Sequence, residues 1–461
     1  MRTLHSFSTP QLQLLHRGKV RDSFRAGANT RLLVATDRLS AFDHVLDTAI
    51  PGKGAILNQL SAYWFKATED IIPNHLVRIV ASQAMVVHEV EPIRVEMIVR
   101  AFITGSAWRA YAAGQRKISG VDFPNGLTKN QRLAEPIVTP TTKDIHDTQI
   151  TPAAIVENGL ASADVYRQME NTAQALFAKA SAMLEERGLL LVDTKYEFGL
   201  LNGNVILIDE IHTPDSSRFW AADDYDRDPL TVEAWDKEYV RRWLMEQQSS
   251  DGMPATLPED VVIETQRRYA ELYERITQSP APTVPTDAAS ALVSELVATD
   301  TMKDSCVTLI MGSPRDRDHA TSIAQELEPY DIAVRTRIAS AHKTPSHAQA
   351  LAQELSESIE PGVIIAIAGL SNGLGGALAA NANLPVINCP PFADRTDIML
   401  NLPSSVMMPS ATPAMTVIKP GNAALAAIRC LNLPRLRRQA SQEIAEGQRT
   451  LLHADHDLQE V

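Results

Sequence analysis

From residue 306 onward, stretches short enough for strands alternate with helical ones, and the first three strands each lead into a turn rich in Gly or Ser. Val307–Met311 leads into Gly-Ser-Pro-Arg-Asp. Ile332–Arg337 leads toward Ser-Ala-His-Lys-Thr-Pro. Val363–Ala368 leads into Gly-Leu-Ser-Asn-Gly-Leu-Gly-Gly, and Leu384–Asn388 is a further strand. Regular strand–helix alternation is satisfied by a parallel sheet covered on both faces. Ligands of such sheets gather at the carboxyl ends of the strands, where all three turns fall.

A second feature divides the chain. Gln278–Asp287 reads QSPAPTVPTD, with three prolines and no periodicity. Proline removes backbone donors and favours extended chain, which suits a spacer. The expected organisation is a first domain over 1–279, a linker over 280–304, a second domain over 305–436 and a charged helical tail over 437–461. Ala288–Thr299 reads as a short helix or as more linker. In the first domain Arg31–Ala35 and Val95–Ile103 read as strands, and Asp164–Arg187 reads as a helix stopped by Gly188. Leu189–Val192 and Asn204–Ile208 read as strands joined through Phe198–Asn204, which contains the hairpin pair Asn-Gly. Helices over about Val232–Gln248 and Pro258–Gln278 close the domain.

Composition narrows the function. Net charge is -13 over 461 residues, which argues against a nucleic-acid binder working by phosphate neutralisation. The three cysteines, Cys306, Cys389 and Cys430, form no CxxC pair, so a reducing compartment is expected rather than a disulfide scaffold. The polar start lacks an apolar signal core, and no apolar window is long enough for a membrane span. A cytoplasmic enzyme of small molecules is the expectation.

Four clusters in the first half carry chemistry. Arg17-Gly18-Lys19-Val20-Arg21-Asp22 places a permissive glycine between cations, suited to a phosphate or to a solvated turn. In Arg100-Ala101-Phe102-Ile103-Thr104-Gly105-Ser106 a strand runs into a helix N-terminus. Ser106 there either caps the helix or joins Arg100 in binding an anion. Asp193, Lys195 and Glu197 alternate along a strand and so share a face, and a hairpin brings Asp209 near Glu197. Paired carboxylates with a lysine suit Mg²⁺ bridging nucleotide phosphates, or a salt-bridged surface hairpin. Thr213-Pro214-Asp215-Ser216-Ser217-Arg218 beside aromatics offers a phosphate pocket or an ordinary loop.

Together the strings RGKVRD, VATDRLSAFD, IPGKGAILNQLS, VEMIVRAFITGSAW, EPIVTPTTK, DTKYEFG and IDEIHTPDSSRFW, in this order from about Leu15 to Thr277, resemble the SAICAR synthetase family. The resemblance implies an α+β ATP-binding domain that joins L-aspartate to CAIR, a carboxylated aminoimidazole ribotide, using ATP and Mg²⁺. It implies that Gly18, Lys19 and Arg21 lie over the ATP phosphates and that Glu197 and Asp209 hold Mg²⁺ and nucleotide. It further implies that Arg100, Gly105, Ser106, Ser217 and Arg218 bind CAIR. Asp193 and Lys195 would serve the reaction, and Lys143, His146 and Asp147 would border the substrates on a loop. Catalysis would be positioning and charge neutralisation, with no covalent protein nucleophile.

In the second half Gly312-Ser313 opens toward a helix in anion-site geometry, with Asp316 placed to accept ribose hydroxyls. His342 suits general acid–base work near neutral pH, or is structural. The strings MGSPRD, SAHKT, AGLSNGLGG and LPVINCPP resemble the AIR carboxylase / N5-CAIR mutase family over about Val307 to Leu433. This implies a flavodoxin-like three-layer α/β/α sandwich that carboxylates AIR, assembled as homo-octamers. His342 would transfer the proton. Gly312, Ser313, Asp316, Ser340, Lys343, Gly369, Ser371 and Asn372 would hold AIR and CO₂. SAHK with AGLSN resembles the class that takes CO₂ or bicarbonate directly, not the mutase. Three departures stand against this pattern: Leu370 in place of Arg, Arg315 in place of Ser, and NLPSS at 401–405 without the family's Arg and Gly. The leading expectation is therefore a two-domain α/β enzyme catalysing consecutive steps, with no nucleic-acid or membrane partner. The alternatives are a working ligase fused to an inactive oligomerisation module, or to a mutase.

Overall fold

The computed structural model describes residues 2–42, 44–144, 148–248, 252–369 and 372–459. Its chain divides into two units. One holds Met1–Ser6 and Leu14–Glu295; the other holds Phe7–Gln13 and Leu296–Val461.

The first unit is built on two antiparallel sheets. In the amino-terminal one the strands run in the order Leu14–Arg17, Arg21–Gly27, Thr30–Ala35, Ala84–His88, Leu76–Ala81. In the second, Glu91–Phe102 lies between Arg132–Thr142 and the 13-residue strand Leu189–Leu201, which also pairs with Asn204–Ile208 and Ser217–Ala221. The expected hairpin is present, but its first strand continues unbroken through Phe198 to Leu201. The turn is only Asn202-Gly203, whose φ of 53° and 80° match the doubly left-handed turn that follows strand twist.

Helix Ala163–Glu185 covers one face of this second sheet. Tyr166, Met169, Ala173, Leu176, Ala180 and Leu184 are buried at helical spacing. They pack with Val95, Met97, Val99, Tyr196 and Phe198, the residues of alternate parity on the two long strands. The opposite face is thereby left to the polar residues. Two expected helices start later or end sooner than read: Glu238–Glu246 replaces Val232–Gln248, and Glu259–Thr277 fits closely. Asp236 explains the first. Its carboxylate accepts the N–H groups of Phe219 (2.9 Å) and Glu238 (2.8 Å), which holds 232–237 as a strap against the sheet edge.

The second unit has one five-stranded parallel sheet. Its chain order is 2-1-3-4-5, made of Ala333–Ile338, Cys306–Met311, Gly362–Ile367, Val386–Asn388 and Ala414–Thr416. This is the flavodoxin-like order, and only the last strand was unread. Val307, Leu309, Val363 and Ile365 face helices Arg317–Leu327 and Pro420–Leu431, while Ile310, Ile364 and Ala366 face helices Pro345–Ser356 and Gly373–Asn381. A helix, Ala288–Ala298, occupies part of the stretch expected as linker.

Residues 7–13, read as the polar start of the first domain, belong instead to the second unit. Gln11 explains this. Its amide exchanges hydrogen bonds with Lys303 (2.9 and 2.8 Å) and donates to Glu360 (3.1 Å), which also accepts from Thr9 (2.6 Å). The tail forms a helix, Pro434–Gln459, whose first turns dock through Arg435 on Asp304 (2.6 Å) and Glu443 on Tyr330 (2.6 Å). Among the described residues no helix is long and apolar enough to cross a membrane.

Candidate active sites

Strand register sets out the first site. Arg100 faces Asp193 across the ladder, Glu96 faces Glu197, and Thr141 faces Glu96 from the other side. With alternation along each strand, Glu96 and Arg100 share the polar face with Thr139, Thr141, Asp193, Lys195 and Glu197. The expectation that Asp193, Lys195 and Glu197 point one way is what the register produces. Lys195 Nζ lies 2.6 Å from Glu96 and 2.9 Å from Glu197, and Lys143 pairs with the other oxygen of Glu197. Burial opposes the charge of Lys195, yet Glu96 and Asp209 hold its ammonium above the usual lysine range. Burial lowers Lys143.

Asp209, just past the hairpin strand, sits at φ 67° and meets Arg21 at 2.8 Å. Burial alone raises its carboxyl, but Arg21, Lys143 and Lys195 hold it well below the carboxylate range.

At the other end of the same face lies a basin of guanidinium groups. Arg100 donates to Asp193 (3.1 Å), Thr139 (2.9 Å) and Ser106 (3.2 Å). Arg218 meets Asp193 at 2.6 Å and Glu238 at 3.4 Å. Ser106 does not cap its helix, because Thr104 is the N-cap residue; its hydroxyl accepts from Arg100 instead. Gly105 has φ 56°, and a Cβ there would lie 2.6 Å from Arg218 Nη2, so the glycine is required both for its conformation and to let the guanidinium in. Ser217 Oγ is 2.6 Å from Thr194 Oγ1. Burial lowers Arg109, and Arg218 and Arg241 beside it lower it further. Four arginines thus converge with Asp193 and Glu238 as their close carboxylates, an excess of positive charge suited to a phosphate monoester.

The glycine turn is held from beneath. Arg38 donates to the carbonyls of Gly18 (2.9 Å) and Lys19 (3.1 Å) and pairs with buried Asp22 (2.8 Å), while Gly18 N bonds Arg21 O (2.8 Å). Asp37 accepts the N–H groups of Leu4 (2.9 Å) and Gly54 (3.0 Å), and burial raises its carboxyl. Deeper still, Asp215 takes Lys53 (2.8 Å) and the Tyr269 hydroxyl (2.9 Å), with Lys237 at 3.7 Å. Burial brings Lys237 down to about 8.

In the second unit the expected turns meet at the carboxyl ends of the strands. Ser313 and Asp316 form a reciprocal cap, in which the Asp316 carboxylate accepts Ser313 N (3.0 Å) and Ser313 Oγ accepts Arg315 N (3.3 Å). Burial raises Asp316. Gly312 N bonds Ile367 O (2.8 Å), tying the first turn to the third strand. Ser340 folds its turn by taking Lys343 N on its hydroxyl (3.2 Å). The His342 ring lies against Gly373, where a Cβ would come within 3.2 Å of the imidazole. Asn372 is buried. Its amide nitrogen donates to Ser405 (3.0 Å) and its backbone N–H to Ser404 (3.1 Å). The serines of the departing NLPSS string therefore brace Asn372. Gly369 borders Pro391. His319, unread in the sequence, reaches Cys389 Sγ at 3.3 Å.

Of the expected residues, His146, Asp147 and Ser371, with Leu370, lie outside the described residues. The strand register brings together Asp193, Lys195, Glu197, Lys143 and Arg100, and Arg218, Gly105 and Ser106 join them through direct contacts. Sequence reading missed Arg38, Glu96, Arg109, Glu238 and Arg241. Glu96 was recoverable, since it stands four residues before Arg100 on the same strand and so on the same face.

The SAICAR synthetase family model matches residues 14–255, and the AIR carboxylase family model matches residues 306–450. The phosphoribosylaminoimidazole-succinocarboxamide synthase of Bacteroides fragilis is 44% identical over 284 residues, 60% of this chain and 90% of that protein. Its namesake from Flavobacterium psychrophilum is 42% identical over 59% of this chain and 90% of that protein. The SAICAR-synthase from Saccharomyces cerevisiae complexed with SAICAR is a structural neighbour with TM-score 0.54 and 36% identity, covering 60% of this chain and 99% of that one. With more than half the chain matched in one stretch and a second family model filling the unit behind it, this chain belongs to the SAICAR synthetase family and carries a fused AIR carboxylase-family domain.

Proposed function

We propose that the chain catalyses two consecutive steps of purine biosynthesis: AIR and CO₂ give CAIR in the second unit, and CAIR, ATP and aspartate give SAICAR, ADP and phosphate in the first. The observation that carries the ligase reading is the single sheet face with guanidinium groups at one end and the Lys195–Glu197 pair at the other. Arg100, Ser106, Arg218 and Ser217 hold the CAIR ribotide, with Gly105 leaving room. Gly18, Lys19 and Arg21 cover the ATP phosphates. The CAIR carboxylate oxygen attacks the γ-phosphorus and ADP leaves. The amine of aspartate then attacks the acyl phosphate carbon, phosphate leaves and an amide forms.

Lys195, Lys143 and Asp193 steady charge and orientation along this path; such transfers depend on positioning and electrostatics. Mg²⁺ needs only one or two carboxylates beside phosphate oxygens, so Glu197 and Asp209 suit as its donors. Bound there it would neutralise the phosphate oxygens. Both carboxylates already face cations, so the site's charge balance tolerates an added divalent ion only with ATP's negative charge present.

In the second unit His342 moves the proton at the ring carbon that gains the carboxylate. Ser313, Lys343, Ser340 and Gly312 take the phosphate, Asp316 takes the ribose, and Gly369 with Asn372 lines the carboxylate loop. Asn372 is held by Ser404 and Ser405 of the altered string, which supports a role for it beside the carboxylate. Exposed Met399, Leu400 and Met407 (80%, 72% and 78%) support self-association through this unit.

The test is CAIR formation from AIR and bicarbonate without ATP. Conversion that is lost in His342→Asn is expected. Turnover of N5-CAIR alone would make the domain a mutase, and turnover of neither would leave a ligase with an inactive partner domain.

A further inference from the structure

The roles above leave Glu96 unused, although it is 3% exposed at the centre of the ligase face. It stands directly across from Glu197 on the neighbouring strand. Like charges opposite one another destabilise a sheet, and a buried carboxylate without partners is costly. A carboxylate at this position therefore needs a compensating contact. Lys195 supplies it, at 2.6 Å from Glu96 Oε1 against 2.9 Å from Glu197 Oε1. The other Glu96 oxygen accepts the Thr141 hydroxyl at 3.3 Å. Glu197, in contrast, gives its second oxygen to Lys143, which comes from the end of its strand and is half exposed. One carboxylate is thus fixed between two sheet strands, and the other is shared with a peripheral lysine.

We infer that Glu96 is a positioning residue of the ligase: it anchors the Lys195 ammonium to the sheet, so that Lys195 stays in place when Glu197 changes partners during turnover. The inference rests on the ligase reading above.

The experiment is a double-mutant cycle on the full chain, combining Glu96→Gln with Lys195→Met and following SAICAR formation from CAIR, ATP and aspartate. Glutamine keeps the shape and an acceptor but loses the charge. The expected result is a fall in kcat of about tenfold to a hundredfold for Glu96→Gln, the size of one lost charge-assisted contact, with the KM values for ATP and CAIR almost unmoved. Glu96→Asp, which keeps the charge, recovers part of the loss. The double variant is no slower than Lys195→Met alone, because Glu96 acts through that lysine. An unchanged kcat in Glu96→Gln, or a double variant slowed by the product of the single effects, overturns the inference. Parent protein that forms no SAICAR overturns the ligase reading itself, and this inference with it.

Discussion

Replacing Gly105 with alanine should separate folding from substrate binding. The residue sits at φ 56°, and the added Cβ would fall 2.6–2.8 Å from three guanidinium atoms of Arg218. Left-handed backbone costs a non-glycine residue about 1–2 kcal/mol, which for a unit of this size lowers Tm by about 2–8 °C. The Arg218 guanidinium, which meets Asp193 at 2.6 Å, must also shift to admit the added Cβ. Losing one charge-assisted hydrogen bond to the ribotide costs about 1.5–3 kcal/mol, or about 10- to 150-fold in kcat/KM for CAIR. The Gly18–Arg21 turn proposed to cover ATP is not among the groups the added Cβ meets, so the KM for ATP should stay within about twofold. ADP release would be followed at saturating ATP and aspartate while CAIR is varied, with Tm measured in parallel. A lowered Tm with CAIR kinetics unchanged would refute the placement of Arg218 at the ribotide.

His342→Asn should abolish carboxylation while ligation of supplied CAIR continues at the parent rate, measured on one preparation. Gln11→Ala removes the buried amide that joins Lys303 and Glu360. It should lower the Tm of the second unit by about 2–10 °C, from about 1–3 kcal/mol of unsatisfied polar groups. Burial pushes the Asp236 carboxyl up to about 7, above its unfolded value of about 3.9. The folded chain then keeps a proton that the unfolded chain has lost, so stability falls as pH rises from about 4 to about 7 and levels off beyond. Asp236→Asn should flatten that slope in urea unfolding, and an equal slope in both proteins would contradict it.

The parallel sheet was legible because its strands alternate regularly with helices and the first three lead into Gly- or Ser-rich turns. The last strand, Ala414–Thr416, was not, because three residues give no period. In the first unit, alternation in Asp193-Thr194-Lys195-Tyr196-Glu197 foretold the polar face. Spacing on its own strand puts its companion Glu96 on the same face as Arg100, but only the register between strands sets it opposite Glu197. Arg38 escaped for a similar reason, since its contacts with Gly18 and Lys19 span about twenty residues of chain and depend on the first sheet being assembled. Residues 232–237 looked helical from their own pattern, and a single buried carboxylate overrode it. The assignment of 7–13 to the second unit was beyond reach, since Gln11 and Glu360 are separated by 349 positions.

The most direct measurement feeds the full chain, with Mg²⁺, ATP, aspartate and bicarbonate, either AIR or CAIR, and quantifies SAICAR in the parent and in His342→Asn. The account predicts SAICAR from both substrates in the parent and from CAIR alone in the variant. Failure of the parent to make SAICAR from CAIR would contradict it.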